Sequence, residues 1–432
     1  MRDDETGAVP DGTAELHLEP VRFIARTDAV LRLGVLMLGA GASSARVRDT
    51  MDRTARALGL ERLESRVGMT DIVITAQRGQ LFRTRVAEVR HPVINSERIA
   101  EVMHLSHRVA DGVTADELQR ELDRIAALPP RYPVAVRVLA AAAACTAFAF
   151  LNNGGWAECL AVAVAVALGQ YVRIRGARLQ VNEFLLVFLS ASAALLTFLG
   201  TSHLIELLGA PSPQYGAALT SSVLYLVPGF PLVTGALDLA RLDLNAGVNR
   251  VVYAGLVLLS TGCAVWAVAA VFQTSAVAVA APELGEPLLS LGRLVAGFVG
   301  VMGFALLFST PWRTALAAAA IGTVANVGRL LMIDHGAMQP VAAAAAGVAV
   351  GFGAFAVSRF VRAPRITLTV PAVIIMVPGA SAYRAIVGTI ESDTLSAVQY
   401  GVTAVFVVVA LAVGLTVARV VTEREWLRPS AH

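Results

Sequence analysis

The chain has 432 residues, of which 56% are hydrophobic and only 16% are charged, and its mean hydropathy is +0.66. These values exclude an ordinary soluble globular protein and are typical of a helical membrane protein with many spans. The net charge of +3 does not indicate nucleic-acid binding, because the arginines of the apolar part collect in particular connectors. More than half of the charged residues fall in residues 1–133, which predicts a soluble region followed by a membrane domain.

The charged front of the chain predicts a small soluble domain. We assign residues 1–20 to a disordered tail, because they are polar and acidic, and residues 21–133 to a cytosolic α+β domain. Runs of β-branched residues on both sides of Arg78 predict a hairpin. Thr114 and Glu117 have the spacing of a capping box and predict the start of a helix.

A catalytic front domain is the alternative to a purely structural one. Its residues Ser43, Ser44, His104, His107 and Asp111 could be combined into a Ser-His-Asp hydrolase, but the Gly-x-Ser-x-Gly elbow is missing. The two histidines have a spacing that could ligate a metal, but no second pair of ligands stands out. We therefore favour surface and capping roles, and we predict no metal, no cofactor and no enzymatic activity.

Ten apolar runs follow the front domain. A helix that crosses a bilayer needs about 20 mostly apolar residues. That length predicts spans at residues 134–152, 156–172, 182–200, 216–236, 249–273, 288–308, 312–331, 340–358, 366–388 and 396–418. Connectors rich in arginine alternate with connectors that carry only acidic charge, which places both chain ends in the cytoplasm.

The ten spans form two matched groups of five. Arg137, Trp156, Gln170 and Arg173 each have an identical or similar residue 156 positions later, and the Val-Pro-Gly around Pro228 recurs 150 positions later. We call two residues related in this way offset partners. Five is an odd number, so the second group enters the membrane reversed. The predicted fold is mainly α: a ten-span membrane domain built as a 5+5 inverted repeat behind the small α+β domain.

The repeat gives the predicted domain boundaries. The first five-helix repeat covers residues 134–274, the second covers residues 288–421, and residues 422–432 are a cytosolic tail. It also places Arg293 and Arg329 near the outer face, opposite their offset partners at the inner face. We interpret these two arginines as relics of the duplication rather than as an attraction for departing anions.

Each Val-Pro-Gly interrupts a predicted span. Proline removes a backbone donor and disfavours a continuous helix by about 3 kcal/mol, and hydrocarbon cannot satisfy the freed groups. One such break would favour a packing kink, but two related breaks next to polar residues favour a solute site. The predicted substrate-binding residues are Thr220, Ser221, Ser222, Pro228, Gly229, Gln170, Asn326, Pro378, Gly379, Tyr383 and Arg384.

Each of these assignments has a structural alternative. The three hydroxyls could bond their own helix backbone, and the amides of Gln170 and Asn326 could bridge helices. Arg384 suits a carboxylate ligand but could reach the outer surface instead. Asp238 is the candidate for the coupling ion, and pairing with Arg241 is its alternative role.

At these motifs the chain resembles the threonine/serine exporters of actinobacteria, the ThrE type, whose paired two-protein relatives are linked to succinate export. The resemblance begins near residue 28 and includes the segments "LGAGASSARVRDTMDRTARALGL", "INSERIAEVMHLSHRVADG", "PPRYP", "LVPGFPLVTGALDLARLDLNAGVNR" and "MVPGASAYRAI". It implies secondary efflux of L-threonine and L-serine, driven by the proton motive force, across a bacterial cytoplasmic membrane.

Two other functions stay open at this point. A dicarboxylate exporter would also use an arginine for its ligand, and a membrane-anchored hydrolase would use the front domain. The expected partners are a small-molecule substrate, protons and membrane lipids, with no nucleic acid, and assembly into a homo-oligomer is left open.

Overall fold

The computed structural model describes residues 11–89, 93–209, 215–272, 285–361, 363–390 and 392–423. Over these residues the chain forms sixteen α-helices and one three-stranded sheet. It divides into two compact units, Met1–Pro129 and Pro130–His432.

The first unit is an α+β arrangement built on an antiparallel sheet. Its elements are α1 (Asp11–Gly39), α2 (Ser44–Ala57), β1 (Arg62–Val67), β2 (Asp71–Arg78), β3 (Leu81–Glu88), α3 (Ser96–Ala110) and α4 (Ala115–Ala126). The strands lie in the order β1-β2-β3, and Arg78 pairs with Leu81 across the predicted hairpin. Alternate residues of β2, Ile72, Ile74 and Ala76, are fully buried, because one face of the sheet packs under helices.

Local capping sets the ends of the later helices in this unit. The side chain of Asn95 accepts a hydrogen bond from the Arg98 amide at the start of α3. At the start of α4, Thr114 and Glu117 form the predicted capping box, with both reciprocal hydrogen bonds present.

Helix α1 begins earlier than the sequence pattern suggests. Residues 11–20, which we assigned to a disordered tail, form its first turns, while residues 1–10 lie outside the described part of the chain. Most of residues 14–19 are good helix formers, so they extend a helix whose later part is held by the core. Glu19 also forms an ion pair with Arg78 of β2, with an N–O distance of 2.7 Å.

The second unit contains helices α5 to α16. They are α5 (Val134–Leu151), α6 (Trp156–Arg178), α7 (Glu183–Leu207), α8 (Tyr215–Val223), α9 (Gly229–Ala240), α10 (Leu244–Phe272), α11 (Glu286–Leu307), α12 (Trp312–Asp334), α13 (Gln339–Val361), α14 (Arg365–Ile374), α15 (Gly379–Ile390) and α16 (Thr394–Thr422). Eight of the described helices are long and apolar enough to cross a membrane, so the chain is a multi-pass membrane protein.

The other four helices form two interrupted pairs at the predicted positions. Helices α8 and α9 meet at a bend of 68°, joined by a 3₁₀ turn at Leu224–Leu226, and together they are long enough for a ninth span. Helices α14 and α15 cover the ninth predicted span in chain order, residues 366–388. The total of ten spans stays a prediction.

Small residues allow close helix packing in this unit. A β-carbon placed on Gly303 of α11 would lie 2.5 Å from the carbonyl oxygen of Ala140 on α5. One placed on Gly414 of α16 would lie 2.2 Å from the carbonyl oxygen of Ala344 on α13. At both positions only glycine permits the observed backbone distance, as is typical of helix interfaces in membranes.

The backbone of the two halves matches at the sequence offsets. Helices α6 and α12 both begin at a tryptophan, and α9 and α15 both begin at the glycine of Val-Pro-Gly. Residues with positive φ also occur in offset pairs, which are Asn153 and Ser309, Gln180 and Gly336, and Leu242 and Ser392.

The helix contacts match as well. The contacts α5–α6, α6–α7, α7–α10, α6–α8 and α9–α10 have the counterparts α11–α12, α12–α13, α13–α16, α12–α14 and α15–α16. The two halves meet where α5 packs on α11 and where the interrupted pairs meet.

Candidate functional site

The first break leaves one backbone carbonyl without its helical donor. Pro228 has no N–H, and the Gly229 amide donates to Val227 at 2.8 Å instead of to Tyr225 four residues earlier. The Tyr225 carbonyl oxygen accepts from Nη1 of Arg173 on α6, at 3.2 Å. A side chain from a neighbouring helix therefore replaces the lost backbone hydrogen bond.

The second break repeats this backbone geometry. The Gly379 amide donates to Val377 at 2.8 Å, and the Val377 amide donates to Ile374 at 3.0 Å. At the first break the corresponding distances are also 2.8 Å and 3.0 Å. The same Val-Pro-Gly sequence thus produces the same turn twice.

The two breaks lie next to each other. A β-carbon on Gly229 would lie 2.6 Å from Cγ1 of Ile374, and one on Gly379 would lie 3.1 Å from Cγ2 of Thr220. The same β-carbon on Gly379 would lie 3.2 Å from Cζ of Phe148 on α5. Helix α8 packs on α15, and α9 packs on α14. The first half of each interrupted pair thus packs on the second half of the other.

Two buried amides stand on helices that pack against the breaks. Gln170 of α6 is 4% exposed and Asn326 of α12 is 0% exposed. Among the described residues, Oε1 of Gln170 and Nδ2 of Asn326 have no hydrogen-bond partner. The only described hydrogen bond of Asn326 is to Nε of Arg329 on its own helix, so neither amide bridges helices there. An unsatisfied buried polar group costs about 1–3 kcal/mol, which a polar ligand would remove.

The hydroxyls of α8 are buried beside the first break. Ser222 donates to the carbonyl of Ala218 on its own helix at 2.9 Å, as the structural alternative expects. Ser190 of α7 and Thr369 of α14 are buried with hydroxyl oxygens that find no partner in the described part of the chain. The sequence reasoning missed both, although a lone hydroxyl in an apolar helix is a signal that could have found them.

Arg384, predicted to bind substrate, contacts helix α16 in the described part of the chain and not the breaks. Its guanidinium lies 5.3 Å from the ring centroid of Tyr400 on α16, and the side chain is half-buried. No described contact of this guanidinium reaches either break. The side chain of Tyr383, also predicted for the site, lies outside the described residues.

Asp238 forms a buried ion pair with a residue that the sequence reasoning did not consider. Its Oδ2 lies 3.4 Å from Nε of Arg250 on α10, and the two side chains are 1% and 5% exposed. The predicted alternative concerned Arg241 alone. Arginine and aspartate in two separate helices gave no spacing signal, which is why the pair was missed.

Two members of the hydrolase alternative, Ser44 and His107, have other partners in the front unit. Ser44 is buried and its Oγ lies 3.4 Å from the Gly68 carbonyl, while Nε2 of His107 lies 2.8 Å from Nη1 of Arg53. The other ring nitrogen of His107 contacts the Met103 carbonyl at 2.7 Å. The serine and the histidine therefore have separate partners. Within the described ranges no cluster of three or more metal-ligating side chains occurs.

Comparison with known proteins decides the family. Residues 28–272 match the model of the family described as "Putative threonine/serine exporter", and residues 293–421 match a second model, "Threonine/Serine exporter, ThrE". The chain belongs to the threonine/serine exporter family. The resemblance drawn from its sequence motifs is thereby confirmed.

Individual relatives extend over most of the chain. A probable threonine/serine exporter of Mycobacterium tuberculosis is 25% identical over 89% of this chain and 72% of its own length. The threonine/serine exporter of Corynebacterium glutamicum is 24% identical over 92% of this chain and 81% of its own. A probable succinate transporter subunit of Escherichia coli, YjjP, is 30% identical over 54% of this chain and 90% of its own. No solved structure matches the chain.

Proposed function

We propose that this protein is a secondary active exporter of the small hydroxy amino acids L-threonine and L-serine, working by alternating access around its two broken helices. The observation that carries the proposal is the contact between the two Val-Pro-Gly breaks, with unsatisfied buried amides on the adjoining helices. The proposed site consists of Thr220, Ser221, Ser222, Pro228, Gly229, Gln170, Asn326, Pro378 and Gly379.

The membrane domain is proposed to be an inverted 5+5 repeat. Matched helix ends, matched left-handed residues and matched helix contacts support two copies of one five-helix unit. An antiparallel crossing is what places the first half of each interrupted pair beside the second half of the other. The two copies would then close the site alternately from opposite faces.

The proposed orientation follows from the connectors. Arginine-rich connectors on one side place both chain ends, and the front domain of residues 21–133, in the cytoplasm of a bacterial cell. The five-helix copies are residues 134–274 and 288–421, in the cytoplasmic membrane.

Coupling to the proton motive force is proposed to use the Asp238–Arg250 pair. A carboxylate paired with arginine away from water is a group whose protonation would release the pair and free α9 from α10. Because α9 begins at the first break, a movement of α9 after loss of this pair would change the substrate site directly.

Export of a dicarboxylate is the second candidate. It is favoured by the YjjP relatives, which are named succinate transporter subunits and match the first half of the chain.

Efflux from proteoliposomes tests the proposal. Vesicles that contain the protein are loaded with labelled threonine, serine or succinate, and a proton gradient is imposed. Vesicles loaded in the same way but without protein are the control. We expect gradient-dependent loss of threonine and serine. Loss of succinate alone would support the second candidate, and equal flux with the gradient collapsed would exclude proton coupling.

A further inference from the structure

An amide followed three residues later by an arginine occurs once in each half. Gln170 precedes Arg173 on α6, and Asn326 precedes Arg329 on α12. Residues three apart lie on the same face of a helix, so each pair presents an amide and a guanidinium together. The pairs are offset partners, and both helices pack on the first half of an interrupted pair.

The first pair lies directly at the first break. Arg173 uses Nη1 to hold the freed carbonyl of Tyr225, and a guanidinium has five N–H donors, so others stay available. Among the described residues, no carboxylate forms an ion pair with Arg173. Oε1 of Gln170, one turn away, is a buried acceptor without a partner in that part of the chain.

The second pair also has a polar side-chain atom without a described partner, but this atom is a donor. Nε of Arg329 donates to Oδ1 of Asn326 at 3.1 Å, and Nδ2 of Asn326 has no described partner. No described carboxylate pairs with Arg329 either. The neighbouring Arg293 differs, because Asp334 neutralises it at an N–O distance of 2.5 Å. A relic of duplication explains Arg293 but leaves the half-buried positive charge of Arg329 without a function.

We propose that these two amide–arginine pairs bind the α-carboxylate and the α-ammonium group of the exported amino acid. Each arginine holds the carboxylate through two parallel N–H donors. Oε1 of Gln170, with the Tyr225 carbonyl freed at the first break, accepts from the ammonium group, whereas Nδ2 of Asn326 is a donor and adds a hydrogen bond to the carboxylate. This inference rests on the proposed function and assigns the carboxylate to Arg173 and Arg329. Arg384, which the sequence suggested, stacks on Tyr400 instead.

The inverted arrangement gives each pair its own side of the membrane. In the proposed orientation Arg173 stands toward the cytosolic end of α6, and Arg329 stands toward the outer end of α12. Substrate would therefore meet Arg173 when the site is open to the cytosol and Arg329 when it is open to the outside.

Lysine variants with matched controls test the assignment in the full-length protein. Arg173→Lys and Arg329→Lys keep the charge and remove the planar fork. Arg175→Lys on α6 and Arg313→Lys on α12 are controls, because both arginines are exposed and stack on an aromatic ring of their own helix, Tyr171 and Trp312. Counterflow of labelled threonine in oriented proteoliposomes gives KM and kcat from each side.

We expect Arg173→Lys to raise the KM for threonine on the cytosolic side about ten- to a hundredfold, and Arg329→Lys to do so on the outer side. The kcat should change less than about threefold, and both controls should stay within about twofold of the parent protein. A lower kcat with unchanged KM would indicate a structural role and would overturn the assignment.

Competition by threonine amide, which lacks the carboxylate, provides the second measurement. The parent protein should prefer threonine to its amide, and this preference should fall at least about tenfold in Arg173→Lys. A preference unchanged in both variants rejects the carboxylate assignment while the exporter function stands. If the parent protein moves neither threonine nor serine, the proposed function fails and this inference falls with it.

Discussion

The side chains around the two Val-Pro-Gly breaks differ although the turns themselves match. At the first break, Arg173 holds the Tyr225 carbonyl, and further along α9 Asp238 forms its buried ion pair with Arg250. The offset partners of Asp238 and Arg250 are Gly388 and Tyr400, which carry no charge. The first half thus carries a buried ion pair, which we propose responds to protons, and the second half carries no charge at the corresponding positions. A repeat that is symmetric in backbone and asymmetric in chemistry is suited to a directional transporter.

Removing one member of the ion pair should have the largest effect. Asp238→Leu removes the carboxylate that lies 3.4 Å from the buried Arg250, and breaking a buried pair costs about 3–5 kcal/mol, so we expect a large fall in the apparent unfolding temperature in detergent. Because two apolar residues of similar size are often tolerated at such a site, Asp238→Leu with Arg250→Met should recover most of that loss.

The double variant separates folding from coupling. We expect it to be folded and yet to lack gradient-dependent efflux of threonine. Gly388→Ala, at the uncharged offset partner of Asp238, is the control. It places a methyl group 3.0 Å from the backbone nitrogen of Ala397 and so changes helix packing in the other half without removing a charge. Normal gradient-driven efflux in the folded double variant would remove the coupling role of the pair.

Restoring continuous helices at the two breaks should have the next largest effect. Pro228→Ala and Pro378→Ala each return an N–H donor and favour a continuous helix, so we expect efflux of threonine to fall about tenfold or more with normal membrane insertion. The first variant should be the more severe, because straightening that helix would return the Tyr225 carbonyl to its backbone donor and release Arg173. Equal and unimpaired efflux in both variants would contradict the broken-helix mechanism.

The α5–α11 interface between the two halves can be weakened by substitution of one glycine. Gly303→Ala places a methyl group 2.5 Å from the Ala140 carbonyl oxygen, and since that contact is to backbone, we expect a destabilisation of about 1–3 kcal/mol. Gly255→Ala in α10 is the matched control, because nothing lies within 4 Å of its added β-carbon. Apparent unfolding temperatures of the two variants measure the difference, and similar values would mean that the α5–α11 contact is not tight.

Loss of a helix cap in the front unit should have a smaller effect on stability and should leave the two Val-Pro-Gly breaks unchanged. Thr114→Ala removes the capping box of α4 and should cost about 1 kcal/mol, measured by faster amide hydrogen exchange in α4. The hydrogen bonds from Thr114 hold the pKa of Glu117 below its ordinary value. The cap therefore contributes above the ordinary glutamate pKa and is lost as the pH falls through the lowered value. Exchange in α4 that is equal in both proteins at neutral pH would contradict this role.

Arg384→Lys should have the smallest effect. A lysine ammonium can also lie over the Tyr400 ring, so we expect efflux and KM to change less than about twofold. A loss comparable to that of Arg173→Lys would return the carboxylate role to Arg384, at the second break rather than the first.

Much of the fold could be predicted because it depends on local patterns. The helices of the second unit match the predicted spans, since apolar length and connector charge are properties of each segment alone. Likewise Thr114 and Glu117 formed a capping box because its partners are three residues apart. Residues 11–20 of the predicted tail differed, because a continuous helix recruits neighbouring residues with weak preferences of their own.

The candidate site was predictable only in part. The repeated Val-Pro-Gly and the two amides were visible as polar exceptions within apolar runs. The partners of charged groups were not visible, because Asp238 meets Arg250, Arg173 meets Tyr225 and Arg384 meets Tyr400 across different helices. Such contacts depend on how helices pack and not on spacing along the chain.

The sequence by itself determined the family, the membrane helices and the positions of both breaks, since hydropathy, proline chemistry and repeated motifs act within short segments. Only the tertiary structure decided that the breaks touch and that a buried carboxylate faces an arginine. It also decided which carbonyl is left for a side chain to hold. The physical reason is that hydrocarbon leaves buried polar groups no solvent partner, so their partners come from the protein, and those on other helices are set by packing.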